Sequence, residues 1–320
     1  MKRIIITSLF TMFLSYAGIA QTRPQQSALN LNPSFLNPAA TGIEDYSQLR
    51  LGLNKQWVGI DGAPSTAWVN GEMRLKTKAD EQQEDVISKG HGIGLNLYYD
   101  KIGPYTTLNL NLGYAYHLPL SQGLVLSAGF AGGLRSTRYD IAKSLNPDQP
   151  GDPAAGVQAS LSKKYTPDLN AGLLLNGKNF FAGVSMMQII SSKFVDVPES
   201  ESKYRGQLLS SLGYVFRFED QATSLWLSGV VKSDFANPLL YDINAKLWYK
   251  NLGWIGSTYI KDDAVGAGFG VNIIKSISIS YLYEWGVSKH ISAYSKGSHV
   301  LCIGFKLLKD NQSGMPKMGW

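Results

Sequence analysis

Apolar and polar side chains alternate along "LNLNLGYAYHL", residues 108–118. Leu108, Leu110, Leu112, Tyr114, Tyr116 and Leu118 share one parity; Asn109, Asn111, Gly113, Ala115 and His117 share the other. Successive side chains of a strand point to opposite faces, so the pattern predicts a strand with one oily face and one polar or small face. A soluble sandwich buries such an oily face in its core. A membrane barrel turns it to lipid while the other face lines the lumen. Strand length and strand number separate the two, since soluble strands run to about five or six residues and membrane-crossing ones to about nine to eleven.

The same parity test predicts strands at roughly 47–57, 66–76, 91–99, 106–118, 123–134, 167–175, 179–189, 206–218, 224–233, 240–250, 253–261, 265–275, 277–287 and 298–308. The count is fourteen, an even number. In "TAWVNGEMRLK", Trp68, Asn70, Glu72, Arg74 and Lys76 oppose Ala67, Val69, Gly71, Met73 and Leu75. In "LYDINAKLWYK", Asp242, Asn244, Lys246 and Lys250 oppose Tyr241, Ile243, Ala245, Leu247 and Tyr249. The registers at 253–261 and 265–275 are less clean and open to slippage. From the fourth segment onward the links alternate short and long, as periplasmic turns and outside loops do. The link at 262–264 is short where a long one is expected, and 77–90 is long where a short one is expected.

Composition supports lipid exposure. Charged residues make up 17% of the 320-residue chain, below the roughly 25% of soluble proteins. The amino end, "MKRIIITSLFTMFLSYAGIAQ", has Lys2 and Arg3, a short apolar run and then Gly18-Ile19-Ala20, which predicts a signal peptide at 1–20 cleaved before Gln21. Losing Lys2 and Arg3 takes two charges from the formal +6, and the remaining excess is too mild and scattered for nucleic acid. Cys302, the lone cysteine, excludes an intrachain disulfide and cysteine-based metal clusters. Beyond the signal no apolar stretch of about 18 residues exists, which excludes helical spans.

Little chemistry emerges. His91, His117, His290 and His299 are not at helical metal-ligand spacing, and His117 is expected in the lumen. "VGAGFGV" at 265–271 lacks the strand, turn and helix that a dinucleotide loop requires; its glycines fit close packing within a strand. No serine sits in a nucleophile elbow, and Asp262-Asp263 has no assignable acid or base partner. Neither catalytic residues nor a cofactor or metal site are expected.

Three blocks, "NPAATG" at 37–42, "QWVGIDGAPSTA" at 56–67 and "YYDKIGPYTTLNLNLGYAYHLPL" at 98–120, resemble the PorP/SprF family of type IX secretion system membrane proteins of the Bacteroidetes. The resemblance covers the first 120 residues, with only strand rhythm beyond. It implies an outer-membrane barrel serving export or surface attachment of a protein with a type IX carboxy-terminal signal domain, of adhesin or gliding type. It further implies contact with periplasmic ring or peptidoglycan-associated components, and no catalysis. Asn37, Pro38, Ala39 and Gly42 carry the first motif.

Residue chemistry adds detail beside the resemblance. Gly59 and Gly62 permit tight backbone, Pro64 fixes its φ and Asp61 suits an Asx turn, which predicts a rigid loop after the first strand. Trp57 either joins an interface aromatic belt or packs that loop onto the wall. Asp100, Gly103 and Pro104 are expected to build the matching turn between strands three and four, on the same outer rim. Glu72, Arg74, His117, Asp242, Lys246 and Lys250 are the expected lumen residues, which mildly favours a filled interior.

The expected fold is therefore all-β: a transmembrane antiparallel β-barrel of about fourteen strands over 47–308, after a cleaved signal peptide. Residues 21–46 form a periplasmic segment or lumen plug, 144–156 belong to the largest outside loop, and 309–320 are a tail. That tail runs past the last strand, where barrels commonly end on an aromatic; Phe305 or Trp320 is the substitute. The expected partners are outer-membrane lipid and the secreted protein, without nucleic acid. A passive or substrate-selective pore is the alternative function, and an outer-membrane enzyme a third.

Overall fold

The computed structural model describes residues 31–44, 46–75, 90–121, 123–140, 163–190, 192–193, 203–204, 206–219, 222–250 and 252–307. The expected signal peptide, most of the charged stretch at 76–90, the expected outside loop at 144–156 and the expected tail at 309–320 lie outside the described residues. Sixteen strands are described, fourteen of which close into one antiparallel barrel.

The barrel strands are β1 (Ser47–Lys55), β2 (Ser65–Leu75), β3 (Gly90–Ile102), β4 (Tyr105–Ser121), β5 (Leu124–Tyr139), β6 (Lys163–Gly177), β7 (Phe180–Met187), β10 (Gln207–Arg217), β11 (Thr223–Ser233), β12 (Leu240–Tyr249), β13 (Gly253–Ile260), β14 (Ala264–Ile274), β15 (Ile277–Gly286) and β16 (Ser298–Leu307). Two-residue strands β8 (Ser192–Lys193) and β9 (Lys203–Tyr204) pair with each other between β7 and β10, a ribbon too short for a parity signal. Each barrel strand pairs with its neighbours in sequence, and β1 closes on β16 from Ser47↔Leu307 to Lys55↔His299. Closure gives every barrel strand a neighbour on both sides, as a hydrocarbon environment requires.

The oily parity faces out. Leu108, Leu110 and Leu112 of β4 are exposed while Asn109, Asn111 and His117 are buried. Phe130, Leu134, Leu212 and Ile255 are likewise exposed in mid-strand. Such a surface in water would expose a continuous apolar band; against lipid it is the matching solvent. Aromatic side chains gather near the strand ends, with Tyr99, Tyr259 and Trp285 at one end and Tyr214, Phe216 and Tyr249 at the other. His91 and His299 belong to these outer aromatic clusters: each Nδ1 shares a hydrogen bond with a tyrosine hydroxyl, Tyr114 at 2.6 Å and Tyr281 at 2.7 Å respectively.

The turns near 122–123, 178–179, 250–252 and 275–276 are short and mark the periplasmic end. Both ends of the strand series, Ser47 and Leu307, pair at that end. The doubtful registers at 253–275 are regular, from Gly253↔Val271 to Ile260↔Ala264. In β14, glycines facing inward make room for neighbours: a Cβ at Gly270 would lie 2.1 Å from Trp254 Nε1.

Candidate functional site

Two places gather the residues that sequence reasoning singles out: the lumen and the outer rim. In the lumen lies the chain's own segment 31–44. It is buried along its length, with Leu36 2% exposed and Ala39 wholly covered. Pro33 starts the one-turn helix Pro33–Leu36, and Pro38 starts the 3-10 turn Pro38–Ala40. Asn37 joins them. Its Oδ1 accepts from Ala39 N (2.9 Å), and its Nδ2 donates to Leu173 O (2.9 Å) on β6 and Val184 O (3.4 Å) on β7. These bonds dock the segment on the wall and satisfy a buried amide.

The rest of the "NPAATG" stretch is fitted as closely. Thr41 O accepts from His117 Nε2 at 3.0 Å, while His117 Nδ1 pairs with Ser127 Oγ at 2.7 Å. Gly42 takes a positive φ of 63° and donates its N–H to Glu72 Oε2 at 3.1 Å. The wall is cut to receive it: a Cβ at Gly92 would lie 1.9 Å from Thr41 O, and one at Gly172 would lie 2.1 Å from Asn37 Oδ1. Ser185 Oγ also donates to Leu36 O at 2.5 Å.

Leu31, Phe35 and Leu36 join Trp68, Met187, Leu209, Val230, Trp254, Leu282, Val300 and Cys302 in an apolar cluster inside the barrel. Phe35 meets the Trp68 ring edge-on at 5.9 Å. Around this cluster the inner wall is polar and paired. Arg135 Nη2 lies 3.1 Å from Asp168 Oδ2, which also accepts from Asn109 (2.6 Å) and Asn111 (3.0 Å). Lys232 pairs with Asp242, and Gln48 donates to Glu72. Arg74 reaches Ile43 O at 3.5 Å. Charges buried with partners hold a geometry; buried without them they destabilise.

Glu72, Arg74, His117, Asp242 and Lys246 are buried on the inner face. Lys250 is not. β12 ends at Tyr249, and Lys250 sits in the turn at φ 49°, its ammonium 5.2 Å from the centre of the Tyr249 ring. Parity holds only within a strand, and this residue lies one past its end.

At the outer rim, loop 56–64 is closed by Gln56 N donating to Pro64 O (3.0 Å) and by Ile60 N donating to Trp57 O (3.1 Å). Gly59 and Gly62 have φ of 102° and 71°, and Asp61 Oδ1 accepts from Gly62 N (2.9 Å). The loop bonds sideways on both flanks. Gly103 N donates to Gly62 O (2.8 Å), Val58 N to Gly297 O (2.8 Å), and Lys296 N to Val58 O (2.7 Å). Pro104 O accepts from Asp140 N (2.8 Å). Trp57 donates its backbone N–H to Ser298 Oγ (3.1 Å), and its side chain hydrogen-bonds Asp263. It therefore ties the loop across the rim instead of standing in the lipid belt. Burial, then the nearby charge of Asp242, pushes the Asp263 carboxyl up to about 6 against that bond and Lys232.

Asp100 departs from its expected place. The β3–β4 ladder runs on to Ile102↔Tyr105, so Asp100 belongs to the inner wall, 5% exposed, and accepts from Thr66 Oγ1 at 2.7 Å. Only Gly103 and Pro104 make the turn. Sequence reasoning missed Arg135, Asp168 and Ser298 and found no partner for Asp263, which the structure sets beside Trp57; the inward parity of Arg135 and Asp168 was the available signal.

The model of the family described as "Type IX secretion system membrane protein PorP/SprF" matches residues 18–305. The chain belongs to the PorP/SprF family. The match extends well past the three motif blocks, to the last barrel strand. This PorP/SprF barrel is a membrane component of the type IX secretion system and resides in the bacterial outer membrane; its family is not one of enzymes. No curated protein matches the chain. Among solved structures, the Acinetobacter baumannii outer membrane protein Omp33 is 13% identical, covers 83% of this chain and all of its own, and has a TM-score of 0.46. The Ralstonia pickettii toluene transporter TbuX is 12% identical, with coverage of 85% and 92% and a TM-score of 0.49. The CymD monoaromatic hydrocarbon channel is 11% identical, with coverage of 90% and 94% and a TM-score of 0.47.

Proposed function

We propose that this PorP/SprF barrel works as a docking partner for a secreted surface protein bearing a type IX carboxy-terminal signal domain, of adhesin or gliding type. In this reading it holds or hands on that cargo at its rim, and does not conduct it through its lumen. The observation that carries the reading is segment 31–44. A hydrogen-bonded piece of the same chain, packed into an apolar cluster, occupies the lumen where a polypeptide would have to pass. The laterally bonded rim from Val58 to Pro104 offers a rigid surface in its place, and rigid surfaces bind with less ordering entropy. Contact with periplasmic ring or peptidoglycan-associated components belongs to the same proposal, as does the absence of catalysis.

The filled interior weighs against the pore alternative. Two measurements decide. Purified protein in planar bilayers is expected to show no steady large openings. Co-purification from native membranes is expected to recover a protein with a type IX terminal domain. Steady conductance together with failure to recover any such partner would overturn the reading.

A further inference from the structure

Below the apolar cluster, among the described residues, the periplasmic third of the lumen gathers Arg50, Arg74, Lys246 and Lys306 near Glu44 and Glu72. Lys246 of β12 is 8% exposed, and its Nζ lies 4.9 Å above the centre of the Trp254 ring. Among the described residues it has no carboxylate or hydrogen-bond partner. The cation acting on it is Arg50 of β1. Arg50 Nη1 is buried without a hydrogen bond, and its nearest carboxylate is Glu72 at 3.9 Å. That carboxylate already accepts from Gln48 and from Gly42 N. Lys306 of β16, 5.6 Å from the Tyr46 ring, adds a third positive charge nearer the mouth and feels both Arg50 and Glu44.

The topology brings these groups to one level. Arg50 is three residues in from the start of β1, Lys246 three from the end of β12 and Ser280 three from the start of β15, all counted from the periplasmic end. Ser278 and Ser280 share the inward parity of Leu282 and Glu284 and stand between the two cations along the wall. Trp248 and Trp254, with ring centres 6.5 Å apart, form the apolar side of the basin. An ammonium set against an indole face, a guanidinium and the Cys302 thiol, with no carboxylate beside it, gains from an anion that enters. A forked guanidinium, an ammonium and hydroxyl donors are the set that recognises oxygen anions.

We propose that the basin between Arg50, Lys246 and Lys306 binds a small oxyanion, a phosphate or a carboxylate, reached from the periplasmic mouth. This site is independent of the docking role, since it faces the opposite end of the barrel. Its indole wall supplies the readout. The full chain, folded in detergent micelles, is titrated with inorganic phosphate and, separately, with acetate, at ionic strength held constant with chloride, and tryptophan emission is followed. The expected result is a saturable change with at least one of the two anions, half-complete at about 1 mM or below, a modest affinity for a small ligand. Phosphate alone saturating marks a tetrahedral ligand, and acetate alone a carboxylate.

Lys246→Met is expected to raise the half-saturation at least about tenfold, while Lys246→Arg stays within about threefold of the parent because the charge is kept. Folding of each variant is checked by heat-modifiable gel mobility. Should Lys246→Met not fold, Arg50→Gln carries the same expectation. The proposal is overturned if neither anion saturates the parent protein beyond the chloride control, or if both charge-removing variants respond as the parent does.

Discussion

A Cβ at position 92 would meet Thr41 O at 1.9 Å, so that site tolerates only glycine while segment 31–44 is seated. Gly92→Val is therefore expected to insert into the membrane but to lower unfolding stability by about 1–3 kcal/mol, the usual result of overfilling a packed site. Thermal unfolding in detergent checks this. Asp263 gives a pH test at the outer rim, outside the membrane-spanning part. Its carboxyl ordinarily titrates near 3.8 and rises to about 6 here, first through burial and then through Asp242. A carboxyl raised on folding binds more protons folded than unfolded, so its contribution favours the fold below about pH 4 and is lost as pH climbs through about 6. Asp263→Asn is expected to flatten that slope, by on the order of 1–2 kcal/mol across the window, read from unfolding midpoints against pH.

Elements were legible where the physics is local. β4 showed its parity in the sequence because each side chain meets lipid or lumen alone, and Leu112 at 64% exposure lies near the middle of that strand. Leu112→Arg is expected to reduce barrel insertion by about 2–4 kcal/mol, the price of a cation at the bilayer midplane, while leaving the lumen untouched. The folded fraction after refolding into vesicles measures it. Strand ends were less legible. β5 and β6 run on to Tyr139 and back from Lys163, beyond the span their apolar parity marks, because pairing outside the bilayer needs no oily face. "D-x-IGP" reads as turn chemistry, yet the ladder continues past Asp100. Lys250 shows the reverse error, with parity carried past a strand that has stopped. Segment 31–44 has no period to read; its place is set by glycine gaps and single hydrogen bonds on strands distant in sequence, as Asn37 to Leu173 illustrates.

At the scale of the whole molecule, segment 31–44 packs inside a wall whose oily face is turned outward. Deleting residues 31–44 is expected to leave an inserted barrel that now conducts, and bilayer recordings of the deleted and parent proteins compare the two directly. Conductance unchanged by the deletion would show that other residues fill the lumen. Hydrogen bonds from Ser34, Leu36, Asn37, Thr41 and Gly42 of that segment reach β2, β3, β4, β6 and β7, in the amino-terminal half of the sheet. The later strands meet the segment through apolar side chains instead, Leu209, Val230, Trp254, Leu282 and Val300, so one half of the wall grips it by polar bonds and the other by oily contact.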